Sequence, residues 1–244
     1  MIYVKHLVKR FGIKVILRGL DFTVSPGEFV ALLGPNGAGK TTFLRILSSL
    51  SRPTMGEVSI AGHVLPGDAS GVRRRLGYVS HLPLLYGDLT AEENLLFYGK
   101  MYGVENLSQR ISEVLEMVGL TSRRFDLVRI FSRGMQQRLA IGRAILHDPD
   151  VLLLDEPHTG LDQDACAMLD GVLRQVAVRG RTVVMTSHDL ARAADLATRF
   201  DILSLGRIQA SIHSDDLPQD GLLAFYRTTI SDAAGAKSIQ AGVS

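Results

Sequence analysis

The chain has 244 residues, 46% of them hydrophobic, and a formal net charge of +2, which suits one large core with an inserted subdomain and excludes two full domains. A near-neutral chain with one tight basic cluster, Arg73-Arg74-Arg75, does not imply nucleic acid as a partner. Cys166 is the single cysteine, so an internal disulfide is excluded and nothing argues for thiolate–metal or redox chemistry. No apolar run approaches the roughly 18 residues of a membrane span, and Met1-Ile2-Tyr3-Val4-Lys5-His6 lacks a signal-peptide layout. A soluble, intracellular protein is expected.

In chain order, the N-terminal stretch reads as short strands joined by Gly-containing turns. The apolar run Phe29 to Leu33 then leads into Gly34-Pro35-Asn36-Gly37-Ala38-Gly39-Lys40-Thr41, which matches the phosphate-binding pattern G-x-x-x-x-G-K-[ST], and a helical pattern from Phe43 to Leu50 follows. Glycines let backbone N–H groups turn inward around a phosphate. Lys40 supplies a point charge to the β/γ oxygens, and the Thr41 hydroxyl suits a magnesium ion. A helix N-terminus behind the loop adds partial positive charge. The chain is therefore expected to bind a nucleoside triphosphate.

Glu57 to Ala61 reads as another strand, and the three arginines as a solvated turn before a strand at Leu76 to Ser80. From about 83 to 147 the pattern is helical. Thr90-Ala91-Glu92-Glu93 has capping-box spacing, and Ser108 opens a run with Ile111, Val114, Leu115 and Val118 at helical intervals that Gly119 closes. Ser132 caps a further helix carrying Met135, Leu139 and Leu146 up to Asp148-Pro149. Val151 to Leu154 ends in Asp155-Glu156, and Thr182 to Met185 ends in Thr186-Ser187-His188. Ile202 to Ile212 reads as strand again, and Ser231 to Ser244, rich in Ala, Gly and Ser, as a frayed tail.

Ligands of doubly wound sheets bind beyond the carboxyl ends of parallel strands. If the runs at 29, 151 and 182 share one parallel sheet, a lysine, two carboxylates and a histidine converge on one phosphate chain. Asp155 then holds Mg²⁺, Glu156 orients and polarises the attacking water, and His188 contacts the γ-phosphate. Such a convergence is an ATP hydrolysis site with Lys40, Glu156 and His188 as its catalytic groups.

These residues resemble the ATP-binding subunits of ABC (ATP-binding cassette) transporters from about residue 1 to 215. Phe11 lies where that family stacks an aromatic on adenine. Gly77-Tyr78-Val79-Ser80-His81 resembles a loop that usually ends in glutamine, so His81 takes the place of a group that contacts the metal ion. Phe131-Ser132-Arg133-Gly134-Met135-Gln136-Gln137-Arg138 resembles the signature motif, with Arg133 and Met135 replacing the usual glycine and glutamine. Thr159-Gly160-Leu161-Asp162 is similar to the loop with a dimer-interface aspartate, and His188 to the switch histidine. The resemblance implies an α/β fold, a P-loop NTPase core with a mainly parallel central sheet, an N-terminal antiparallel β-subdomain and an inserted helical signature subdomain at about 83–147. Residues 216–244 are expected to form a C-terminal helix and flexible tail. Gly34 to Lys40, Thr41 and Thr42 would bind ATP, and Thr41, Asp155 and His81 the Mg²⁺.

It further implies a head-to-tail dimer in which Ser132, Arg133, Gly134, Met135 and Asp162 face the ATP of a second subunit, identical or homologous. Transmembrane permease subunits complete the assembly at the cytoplasmic side of the cell membrane. The histidine loop, together with Tyr86 to Leu95 and Phe131 to Leu139, looks most like the haem-exporter ATPases of cytochrome c maturation, although Leu82 stands where those carry glutamine. Leu84, Leu85 and Tyr86 are candidates for an apolar cleft that receives a membrane-subunit helix. The departures at His81, Arg133 and Met135 leave a second reading, an ATP-sensing or hydrolysis-impaired regulatory subunit. Chromosome-maintenance ATPases are excluded, since no sustained heptads lie between Lys40 and Asp155. Two-cassette translation factors are excluded by the single phosphate loop.

Overall fold

The structure is a computed structural model and describes residues 1–80 and 82–241. Near the N-terminus, β1 (Ile2–Phe11) pairs antiparallel with β2 (Lys14–Val24) and with β4 (Met55–Ile60), and β5 (His63–Leu65) adds to β4. Ile2, Val4, Leu7, Leu17, Leu20, Phe22 and Val24 are buried on one face of this four-stranded sheet. Val4 and Leu7 are three residues apart, which in a regular strand would place them on opposite faces. A register shift between them, with His6 at φ 50°, returns Leu7 to the buried side.

The second sheet has six strands in the order β10-β9-β3-β8-β7-β6. It contains β3 (Phe29–Leu33), β6 (Leu76–Val79), β7 (Val151–Asp155), β8 (Thr182–Thr186), β9 (Arg199–Ser204) and β10 (Arg207–His213), parallel throughout except for the edge pair β9/β10. Every residue of β3, β7 and β8 is buried because both faces are covered. Phe29, Ala31, Leu33, Leu152, Leu154, Val183 and Met185 belong to the core shared with the later helices. Val30, Leu32, Leu153 and Val184 pack with α1 (Lys40–Leu47) and the first sheet. The α/β class, the antiparallel N-terminal sheet and the mainly parallel central sheet are thus as expected.

Between β6 and β7 the chain leaves the sheet for α3 (Ala91–Tyr102), α4 (Leu107–Met117) and α5 (Arg133–Ile145). The capping box forms as read: Thr90 Oγ1 accepts from the Glu93 N–H at 3.1 Å, and Glu93 Oε2 accepts from the Thr90 N–H at 2.8 Å. Two arginines cap α4 and α5 reciprocally. Arg138 of α5 donates to the carbonyls of Val118 and Gly119 beyond α4, at 2.9 and 3.0 Å, and Arg110 of α4 donates to those of Ile145 and Leu146, at 2.8 and 3.0 Å. Each cation satisfies carbonyls that a helix end leaves without intrahelical partners.

Several bounds differ from expectation, among them α1, read as Phe43 to Leu50 and observed as Lys40–Leu47. Arg73, Arg74 and Arg75 close a helix, α2 (Ala69–Arg75), rather than a turn; the Asp68 side chain caps it by accepting from the Gly71 N–H. Helix α4 starts one residue before Ser108, behind Asn106. After β7 come α6 (Gln163–Val178), α7 (Leu190–Leu196) and α8 (Gly221–Ala241). The segment read as a frayed tail is helical through Ala241, and residues 242–244 lie outside the described residues.

Candidate functional site

The phosphate loop is shaped by positions that exclude a side chain. Gly34 has φ +152°, and a Cβ there would lie 2.0 Å from the Leu203 carbonyl oxygen of β9. Gly39 has φ +112°, and a Cβ there would meet Leu17 Cδ2 of β2 at 2.9 Å. The loop is therefore clamped between the two sheets, and Gly39 immediately precedes α1. That placement puts the helix N-terminus, with its orphan N–H groups, directly behind the loop.

Lys40 is the first residue of α1 and is 6% exposed. Its ammonium donates to the Gly34 carbonyl at 2.7 Å and lies 3.9 Å from Glu156 Oε1. Burial pulls its pKa below the ordinary lysine value, and the carboxylates of Glu156 and then Asp155 partly restore it. Thr41 Oγ1 donates to Asp155 Oδ1 at 3.1 Å. This hydroxyl–carboxylate pair is a set of hard oxygen donors of the kind Mg²⁺ takes, usually with one or two protein ligands and the rest from phosphate and water. Among the described residues no group of three or more His, Cys, Asp or Glu side chains could hold a metal.

Asp155 ends β7, and Thr186 ends the neighbouring β8 directly opposite it. The Thr186 hydroxyl donates to Asp155 Oδ1 at 2.9 Å and accepts the Glu156 N–H at 2.9 Å. Glu156 sits at φ +50°, turning the chain sharply out of the strand so that adjacent carboxylates aim differently. Glu156 Oε2 accepts from Thr159 Oγ1 at 3.2 Å and lies 3.2 Å from His188 Nδ1. Thr186 had no role in the sequence reading beyond closing a strand. A polar residue finishing an apolar run beside the Asp-Glu strand was the available signal.

Replacing Thr186 with Val keeps the shape and strands the partly buried Glu156 N–H, at a cost of about 1–3 kcal/mol. A melting temperature lower by about 2–10 °C is expected in a thermal denaturation scan. Thr186→Ser retains the hydroxyl and should recover most of the loss; equal melting points for Val and wild type would remove Thr186 from this role.

The signature residues form a second cluster. Ser132 caps α5 by accepting from the Met135 N–H at 3.3 Å, and Gly134 packs so closely on α6 that a Cβ would lie 2.7 Å from Ala165 Cβ. The Arg133 guanidinium covers Gly160: a Cβ on that glycine would sit 2.6 Å from Arg133 Cζ. Met135 is half-buried against the core. Asp162 caps α6, accepting from the Ala165 N–H at 2.8 Å. The loop Thr159 to Asp162 connects both clusters, because Thr159 touches Glu156 and Gly160 lies under Arg133. Phe11 ends β1, exposed, with Lys9 Nζ 4.7 Å from its ring centroid. His81 lies outside the described residues, so its expected metal contact has no geometry here.

The fold is that of an ATP-binding cassette. Residues 17–159 match the family described as ABC transporter, and the chain belongs to that family. It is 37% identical to the linearmycin resistance ATP-binding protein LnrL of Bacillus subtilis (strain 168), over 89% of this chain and 70% of that protein. It is 40% identical to Nod factor export ATP-binding protein I of Burkholderia lata, over 83% of this chain and 67% of that one. Among solved structures, the ATP-binding subunit of an ABC transporter superposes with a TM-score of 0.85 at 31% identity, covering 94% of this chain and 99% of the other. A dimeric ATP-binding cassette in a post-hydrolysis state, bound to ADP and Pi, gives 0.78 at 30% identity, over 88% and 99% of the two chains.

Proposed function

We propose that this cassette hydrolyses ATP to drive an exporter, with Lys40, Glu156 and His188 as its catalytic groups. The observation that carries this reading is the contact set Lys40, Thr41, Asp155, Thr186, Glu156 and His188, made by the ends of three adjacent parallel strands. Gly34 to Gly39 offer backbone N–H groups to the phosphates, and Lys40 and Thr42 add a charge and a hydroxyl. Thr41 and Asp155 would hold Mg²⁺, which when bound neutralises phosphate charge. Glu156 accepts the proton of the attacking water, and its contacts with Thr159 and His188 keep the carboxylate aimed. His188, on the exposed side, reaches the γ-phosphate.

The exposed Ser132 hydroxyl and the start of α5 would serve as donors for the nucleotide of a second cassette. The dimeric cassette bound to ADP and Pi supports pairing for this chain. Export is supported by the relative named for Nod factor export. Haem for cytochrome c biogenesis has only the resemblance of the histidine loop, Tyr86 to Leu95 and Phe131 to Leu139 behind it, and none of the relatives named above is a haem exporter. Cargo belongs to the membrane subunits. Among the described residues no helix is long and apolar enough to cross a membrane. Attachment at the cytoplasmic face would use the cleft beside α3 that Leu84 lines with Tyr98 and Tyr102; Tyr86 is half-exposed and Leu85 packs inward.

The test is steady-state hydrolysis by the purified protein with Mg²⁺ over a range of protein concentrations. Activity should rise more than linearly with concentration and vanish with EDTA. Tight ATP binding with no turnover, even at high concentration, would instead favour the nucleotide-sensing reading.

A further inference from the structure

His158, Asp170 and Arg192 have no part in the mechanism above, yet they are mostly buried and joined to each other beside it. His158 follows Glu156 by two residues. Its Nε2 lies 2.7 Å from Asp170 Oδ1 on α6, and the other carboxylate oxygen accepts from Arg192 at the start of α7. Arg192 Nε lies 3.5 Å from Asp189 Oδ2, and the Arg192 N–H donates to Asp189 Oδ1 at 3.0 Å. Asp189 adjoins His188, which closes back on Glu156 at 3.2 Å. The contacts form a ring: Glu156, His158, Asp170, Arg192, Asp189, His188, and Glu156 again.

Burial pushes the His158 pKa below the ordinary histidine value, partly opposed by Asp170. In either charge state the imidazole must carry an N–H on Nε2, because the carboxylate opposite can only accept. Nδ1 is buried without a partner among the described residues. A buried imidazole committed to one acceptor has a single stable orientation, and the backbone on either side of it is held accordingly.

The geometry points to His158 as a positioning residue that, through Asp170 and Arg192, holds the Glu156 carboxylate and the His188 imidazole in register. It rests on the ATPase reading above. The turn it steadies is the one at Glu156, φ +50°, beside the contacts that Thr186 and Thr159 already make there. The far anchor is α7, whose first turn carries Arg192 and whose N-cap is Asp189. Loss of the Nε2 bond removes one of the links between the segments that follow β7 and β8, beside those of Glu156 with Thr186 and His188.

Asparagine and glutamine separate this role from simple packing. Glutamine can place its amide nitrogen where Nε2 stands and donate to Asp170, whereas the asparagine amide corresponds to Nδ1 and falls short. His158→Asn should lower kcat about tenfold with the Kd for labelled ATP unchanged, and His158→Gln should stay within about threefold of wild type. Hydrogen exchange gives a readout free of turnover: in His158→Asn the amides of 156–162 and of 187–192 should both exchange about tenfold faster. Indistinguishable Asn and Gln variants, or faster exchange confined to 156–162, would overturn the proposal. If wild-type turnover proves independent of Glu156, the ATPase reading fails, and the exchange pattern alone then decides whether the two segments are coupled.

Discussion

Glu156→Gln is expected to leave ATP binding intact and to slow hydrolysis by about 10² or more, because a general base contributes on that order and an amide has no comparable basicity. The surroundings explain why the change should be so selective. The Glu156 N–H is held by the Thr186 hydroxyl, and Oε2 is approached by Thr159 and His188, contacts that an amide oxygen can still accept. The phosphate loop, clamped by Leu203 and Leu17, does not depend on this side chain. Lys40 loses one of the two carboxylates that hold its pKa up, but remains within its own loop, 2.7 Å from the Gly34 carbonyl. Single-turnover hydrolysis beside equilibrium ATP titration measures both effects. Unchanged turnover would remove Glu156 from its assigned role.

Lys40→Ala should act on binding itself. One charge-assisted contact contributes about 1.5–3 kcal/mol, so the Kd for ATP should rise by about 10- to 100-fold. A second effect works in the same direction. Lys40 is the cation facing both Glu156 and Asp155, and its removal leaves two carboxylates to repel an incoming triphosphate. Titration with a fluorescent ATP analogue, over a range of salt concentrations, reads the change. An affinity within twofold of wild type would mean that backbone N–H groups and the α1 N-terminus hold the phosphates without the lysine.

Much of the site was legible because its parts are local. The phosphate loop is contiguous, and its glycines are needed for reasons set by the backbone and its immediate neighbours. The strands at 29, 151 and 182 were legible as uninterrupted apolar runs, since a strand covered on both faces has no polar alternation. The caps at Thr90 and Ser132 need only three or four residues each. Helix α2 was harder to read: it is short, and Gly71 within it weakens the helical pattern. The reciprocal caps made by Arg110 and Arg138 had no local sign, because each arginine serves the end of the other helix.

The sequence by itself determined the fold class and the family, since both follow from contiguous motifs in a recognisable order. The tertiary structure alone decided that β8 lies between β3 and β7. That order sets Thr186 against Asp155 and brings His188 to Glu156. It also decided that His158, Asp170 and Arg192 share one buried cluster. Strand order depends on which faces are covered and by what, a property of the whole packed core that no short stretch of chain encodes.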